Sequence, residues 1–348
     1  MTSKRTKIFT LAASALAGLL ACGSASAQQI ILRLHHPLPS TSSAQVKLIQ
    51  PWCDKINKES GDRLKCQIYP AMQLGGTPAQ LFDQLRDGVV DMIWTIPTYA
   101  SGRFTKSEVF ELPWMATTSK AGSQALWTFV DKFAQDEFRG VKRIFMHVHD
   151  GALFHFTSKQ PKTLEDLKGL KIRAATRANS RMLAALGATP VQMPLPAVPE
   201  ALSKGVVDGA AIPWEASPAV KLSEITKYHL DVPAGSPRIS NAIFMMGMNP
   251  AKYESLPADL KKVIDANSGL AVSAWAGETG FDAVVEGYKK TARDAGGVFY
   301  NLPEAEYQRW VKATDGVDDE WMKDVANKGA DGKKLMEEAR ALIKQYSK

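Results

Sequence analysis

The stretch EDLKGLKIRAATRANSRMLAALGATPVQMPLPAVPEALSKGVVDGAAIPWE, residues 165–215, decides the architecture. Residues 170–174 read as a short strand. Residues 179–186 read as a helix stopped by Gly187, 190–193 as a strand, 198–203 as a helix stopped near Gly205, and 206–211 as a strand. Strands alternating with helices at this spacing predict an α/β domain with a mainly parallel sheet.

The same alternation extends outward. Toward the N-terminus, residues 30–35 form an apolar run that reads as a first strand. Val46, Ile49, Cys53 and Ile56 recur at helical spacing over residues 44–58, and Pro51 falls inside that pattern and predicts a kink. Residues 64–69 alternate as a strand, Thr77-Pro78 opens a helix reaching residue 85, and residues 89–95 read as a buried strand. Residues 142–149, 154–158 and 242–248 are further strands. From residue 258 onward the chain reads as mostly helical, with Trp275, Phe281, Trp310 and Trp321 on apolar stripes.

The first 27 residues do not belong to this pattern. Lys4, Arg5 and Lys7 precede a 14-residue, largely apolar run, and Ala25-Ser26-Ala27 supplies a small-residue cleavage site. That is the layout of a secretory signal peptide, and the run is too short for a membrane span. Cys22 offers a second reading, a lipid-modified cysteine; the site after Ala27 fits better. Removing residues 1–27 takes away three basic residues and no acid, so the net charge falls from +7 to +4. No Lys/Arg block of the kind that binds nucleic acid is present. The length suggests two lobes rather than one core. Export permits a disulfide between Cys53 and Cys66, and two separate buried thiols are the alternative.

In open α/β sheets ligands bind beyond the carboxyl ends of the strands. The residues there include His36, Trp94, Tyr99, His149, His155, Arg173, Arg177, Trp214 and Glu215, a set rich in imidazole, guanidinium and aromatic groups.

Three motifs, Gly169-Leu-Lys-Ile-Arg173, Leu186-Gly-Ala-Thr-Pro190 and Glu200-Ala-Leu-Ser-Lys-Gly-Val-Val-Asp-Gly209, resemble the substrate-binding proteins of TRAP transporters, the DctP type. Tyr69-Pro-Ala-Met-Gln-Leu-Gly-Gly76 and Gly88-Val-Val-Asp91 extend the resemblance over nearly the whole chain after the signal. It implies a two-lobe periplasmic-binding-protein fold of mixed, mostly parallel sheets, with hinge strands and a long C-terminal helix spanning both lobes. Laid on this chain, lobe 1 takes residues 28–150 and about 239–280, and lobe 2 takes 151–238 and about 281–348. The resemblance further implies a periplasmic receptor that carries an organic anion to small and large membrane permease subunits. It implies no cofactor, and a monomer or weak dimer.

The arginine ending the Lys-Ile-Arg strand holds the substrate carboxylate in most members, and that role maps to Arg173. Two positions depart from the family. Ile212 stands before Pro213, followed by Trp214, where many members have Asn, and Leu153-Phe154-His155 stands where many have a second arginine. The departures favour a monocarboxylate with an aromatic or apolar body, or a hydroxy or keto acid, over small dicarboxylates.

A guanidinium matches a carboxylate with two parallel hydrogen bonds, which suits Arg173 to the anion. Arg177 is open to a ligand contact or a loop charge. Trp94, Tyr99, Trp214 and Phe244 are placed to flank the ligand body or to fill the core. His36, His149 and His155 are candidate hydrogen-bond donors. His147 and His149 form a His-x-His pair that lacks companions for a zinc site, so no metal is expected. Gln73-Leu-Gly-Gly76 lacks the Lys-Ser/Thr of a phosphate loop. An exported enzyme with a histidine base, and a ligand-presenting sensor, are the competing classes; no hydrolase, metalloprotease or cofactor fingerprint is present.

Overall fold

The computed structural model describes residues 29–115 and 117–348. The signal-peptide and Cys22 readings lie outside the described residues. Eleven strands run in chain order: β1 Ile30–His35, β2 Leu64–Tyr69, β3 Met92–Thr95, β4 Lys142–Val148, β5 Leu153–Phe156, β6 Lys171–Ala174, β7 Thr189–Gln192, β8 Gly209–Ile212, β9 Tyr228–Asp231, β10 Ile243–Met248 and β11 Val298–Asn301. They form a five-stranded sheet of order β2-β1-β3-β10-β4 and a six-stranded sheet of order β11-β9-β5-β8-β6-β7. β1 is parallel to β2 and β3, and β6 is parallel to β7 and β8. β10 returns antiparallel between β3 and β4, and β5 runs antiparallel between β8 and β9.

The parallel units in the two sheets use one device. Both Gly-Val-Val-Asp motifs end in an aspartate that accepts a hydrogen bond from a backbone amide of a neighbouring strand. Asp91 Oδ2 accepts from Arg33 N at 2.8 Å, and Asp208 Oδ2 accepts from Lys171 N at 2.9 Å. Residues 44–59 are divided as Pro51 predicts. A π-helical turn, Ala44–Ile49, gives way to an α-helix, Gln50–Glu59, with the proline in its first turn, where its missing N–H costs nothing. Cys53 of that helix is bonded to Cys66 of β2.

The chain crosses between the sheets at residues 149–152 and returns at residues 232–242. The two crossings are bridged where Ala152 pairs with Ser240. A third crossing is helical. Leu270–Gly280 packs on Ser119–Phe129 and β4, the helix is interrupted at Phe281, and Val285–Asp294 packs beside Trp214–Ala216. The expected spanning helix is thus two helices in series. Phe281 is fully buried at the interruption against His147 and Phe244.

The C-terminal boundary needs correction. Residues 315–348 were expected in lobe 2. Leu335, Met336, Ala339, Leu342 and Ile343, on one face of the helix Gly332–Tyr346, instead pack with Phe129, Val130 and Phe110 on the five-stranded-sheet side. Trp321 packs in the same cluster, and its Nε1–H donates to Thr105 O at 2.7 Å. An apolar stripe specifies that a helix must be covered, not by which lobe. No described helix is long and apolar enough to cross a membrane.

Candidate functional site

Where the lobes meet, a cleft encloses about 500 Å3 of unfilled space, its open mouth included. Pro37 and Leu38 reach it from the end of β1; Trp94, Ile96 and Tyr99 from β3 and the turn after it; Ala242 and Phe244 from β10. The hinge contributes His149 and Ala152. The six-stranded side contributes Arg173, Ala175, Asn179, Leu195, Ala211, Pro213, Glu215 and Ala216.

Arg173 ends β6 and is 2% exposed. Its Nε donates to Met193 O and its Nη1 to Ala211 O, both at 3.0 Å. These carbonyls, at the carboxyl ends of the two flanking strands, hold the guanidinium plane and leave its other edge free. The Tyr99 side chain, from the opposite lobe, lies against it. No carboxylate among the described residues pairs with it. Burial works against the charge, yet a guanidinium stays protonated. A buried cation without a counter-ion is costly unless an anion joins it.

His149 adds a donor of defined tautomer. Gly151 N donates to its Nδ1 at 2.9 Å, so that nitrogen carries no proton. Burial drives the imidazole pKa down to about 3, with the positive neighbour Arg173 adding to the effect. The neutral ring therefore carries its proton on Nε2, which has no partner among the described residues. Tyr99, whose Oη accepts from Leu195 N at 3.4 Å, closes this polar end.

The wall beside it is aromatic. Trp94 Nε1 donates to His147 Nε2 at 2.9 Å, and the two rings lie nearly coplanar, 18° apart. Phe244 stacks on both, at centroid distances of 4.9 Å from Trp94 and 4.7 Å from His147. His147 thus accepts from Trp94 and faces Val148 O with Nδ1, which fixes its tautomer and makes it a support for the wall. No group of three or more potential metal ligands exists among the described residues.

The structure brings Arg173, Tyr99, His149, Trp94 and Phe244 onto one cleft. Four other candidates lie elsewhere. Arg177 pairs with buried Glu108 and with Asp324 at 2.9 Å, because it opens the helix Arg177–Ala185 and points away from the cleft to the opposite lobe. His36 is turned to Gln45, with 2.9 Å between Nε2 and Oε1. His155 sits inside the six-stranded sheet, its Nε2 3.0 Å from Ile212 O and its Nδ1 2.9 Å from His229 Nδ1. Trp214 stacks on Phe299 at 5.5 Å, away from the cleft. After Pro213 the chain turns through a short 3-10 segment, so Trp214 faces the interior and its neighbour Glu215 faces the cleft. Asn179 and the apolar Leu38, Ile96 and Leu195 were not singled out from sequence, and Glu215 was noted there without a role. Position after β8 was the available signal for Glu215.

The buried titratable groups set a pH dependence of stability. Burial holds His36 at about 4, His147 and His149 at about 3, His229 at about 4, and His155 well below its ordinary value. It pushes Glu111 up to about 8 and Asp150 to about 7, and Glu215 well above the carboxylate range. As pH falls below the imidazole's ordinary 6.5, the unfolded chain takes up protons that the folded histidines refuse, and stability drops. As pH rises above the ordinary carboxyl value of 4.5, the unfolded chain releases protons that the folded acids retain, and stability also drops, up to about 8. Burial also lowers His35 and raises Glu137, Asp282 and Asp318. Above about pH 6.5 the imidazole effect fades while the carboxyl effect persists to about 8, so the unfolding midpoint should decline over that range. Thermal unfolding across pH 4.5 to 8 checks this, and a midpoint rising monotonically to about pH 8 would contradict it.

Comparison with known proteins follows the same lines. The pattern of the family described as bacterial extracellular solute-binding protein, family 7 (DctP), matches residues 35–324. A TRAP solute-binding protein from Rhodoferax ferrireducens T118, solved with copurified benzoate, is 44% identical, with a TM-score of 0.90 over 92% of this chain and 99% of that one. A marine metagenome TRAP solute-binding protein from an unidentified microbe, specific for aromatic acid ligands and solved with 3-hydroxybenzoate, is 42% identical, with a TM-score of 0.90 over 92% of this chain and 100% of that one. A TRAP periplasmic solute-binding protein from Bordetella bronchiseptica, with bound (R)- and (S)-mandelate, is 27% identical, with a TM-score of 0.83 over 91% and 99% of the two chains.

Proposed function

Because the chain belongs to the bacterial extracellular solute-binding protein family 7, the DctP family, we propose that it is the periplasmic receptor of a TRAP transporter for aromatic monocarboxylates. The observation that carries the reading is the buried Arg173 guanidinium, unpaired by any described carboxylate and facing a cleft walled by Trp94 and Phe244. Arg173 takes the carboxylate in a two-bonded fork, Tyr99 and His149 Nε2–H complete its hydrogen bonds, and the aromatic wall takes the ring. The aromatic acids held by the Rhodoferax, marine and Bordetella proteins support the same ligand class.

Residues 1–27 direct export and are removed. The lobes close over the ligand about the bridged crossings near Ala152 and Ser240. The Tyr99 contact and the Arg177–Glu108 pair, which join opposite lobes, belong to that closed form. The liganded receptor, a monomer or weak dimer, delivers its cargo to the small and large permease subunits.

A thermal-shift screen tests the reading, with aromatic, 2-hydroxy, 2-keto, sugar and dicarboxylic acids, and uncharged sugars and amino acids as controls. A ligand at about 100 times its dissociation constant adds about 2.7 kcal/mol of stability. Aromatic monocarboxylates should give the largest shifts. Shifts confined to dicarboxylates or to uncharged compounds would overturn the reading.

A further inference from the structure

Glu215 is a carboxyl group set into the wall of the binding cleft, and the role proposed above does not use it. It lies in the turn Trp214–Ala216 after β8, lines the cleft, and is 4% exposed. Its side chain makes no hydrogen bond with any described residue, and no ion pair joins it to Arg173 or to any other described cation. Asp150 stands beside this turn. Its Oδ2 accepts from Trp214 N at 3.2 Å, and its buried Oδ1 has no partner. Burial and the nearby Asp150 both hold the Glu215 proton more tightly than in water.

A buried polar group without a partner is costly, and natural structures rarely retain one unless something else satisfies it. Here the open side of Glu215 is the cleft. Arg173 and Glu215 lie on the same cleft without meeting. A ligand whose carboxylate is on Arg173 therefore presents a different part of its body to Glu215. A bare ring would leave the carboxyl oxygens unsatisfied. A second carboxylate could be met only through the Glu215 proton, with Asp150 close by. A hydroxyl donates to a carboxyl oxygen whether that carboxyl is neutral or charged.

We infer that Glu215 is a specificity-determining residue that selects aromatic acids carrying a hydroxyl group on the part of the ligand remote from the bound carboxylate. This rests on the aromatic-acid receptor reading and refines its ligand class.

Isothermal titration of the full receptor, residues 28–348, tests it. The ligands are benzoate and 3- and 4-hydroxybenzoate, with 2-hydroxybenzoate and mandelate, whose hydroxyl lies beside the carboxylate, as controls. The variants are Glu215→Leu and Glu215→Gln. In the wild type 3- or 4-hydroxybenzoate should bind about tenfold or more tightly than benzoate, the gain expected when a buried acceptor is satisfied. Glu215→Leu should bring that ratio below about threefold. Glu215→Gln should keep the preference, since its amide oxygen accepts the same hydrogen bond. Benzoate binding with no preference for 3- or 4-hydroxybenzoate would overturn this inference alone. So would a preference that survives in Glu215→Leu, or, if that variant does not fold, a Glu215→Gln protein without the preference. Failure of every aromatic acid to bind the wild type would overturn the receptor reading and this inference with it.

Discussion

Replacing Arg173 with alanine raises the dissociation constant for benzoate by about a hundredfold or more. Truncating one partner of a buried, hydrogen-bonded charge pair costs about 2–5 kcal/mol, and about 2.7 kcal/mol corresponds to a factor of a hundred. The loss stands above the lower end of that range for two reasons. The guanidinium is already oriented by Met193 O and Ala211 O, so the ligand does not have to order it. In the variant, the ligand carboxylate would enter a site where only Tyr99 and the neutral His149 remain as donors. Arg173→Lys does not restore binding, because an ammonium cannot span both strand-end carbonyls and present a fork to the carboxylate. Titration of benzoate into wild type and both variants checks this. Removing the side chain leaves the two carbonyls buried, so unfolding midpoints measured alongside separate lost binding from lost folding.

The second large effect concerns stability. Joining Cys53 to Cys66, 13 positions apart, closes a loop for which the chain-entropy model gives about 3 kcal/mol. The bridge ties the helix Gln50–Glu59 to edge strand β2, whose only strand partner among the described residues is β1. That helix also carries Trp52, which packs against Phe145 and whose Nε1–H donates to Asn267 O at 2.9 Å. The double variant Cys53→Ser/Cys66→Ser should lower the unfolding free energy by about 3 kcal/mol in urea. The bridge is remote from the cleft, so ligand specificity should be retained. Identical urea midpoints with and without the bridge would contradict this.

Much of this molecule was legible in its sequence, and the residues that were not share a physical reason. The strand–helix alternation of residues 165–215 is local, and it became β6, β7 and β8 with the helices Arg177–Ala185 and Val198–Ser203 between them. Arg173 was legible as a cleft residue through the resemblance carried by its Lys-Ile-Arg motif and the match of a guanidinium to a carboxylate. What escaped depends on contacts between distant parts of the chain. Trp214 and Glu215 are adjacent, and it is Trp214 that turns inward, onto His155, His229 and Phe299 from three other strands. β9 and β11 are four residues each, too short for periodicity, and pair across about seventy residues of chain. Arg177 was open to a ligand contact or a loop charge, and its partners Glu108 and Asp324 lie on elements distant in the sequence. His147, the other half of the His-x-His pair with His149, is the hydrogen-bonded neighbour of Trp94, 53 positions away.

The central claim is that an aromatic carboxylate completes Arg173. A crystal structure of residues 28–348 with benzoate tests it most directly. The account predicts carboxylate oxygens at about 2.7–2.9 Å from the free guanidinium nitrogens of Arg173, with the ring lying along Trp94 and Phe244. Benzoate bound elsewhere, or bound in the cleft with its carboxylate turned away from Arg173, would contradict it.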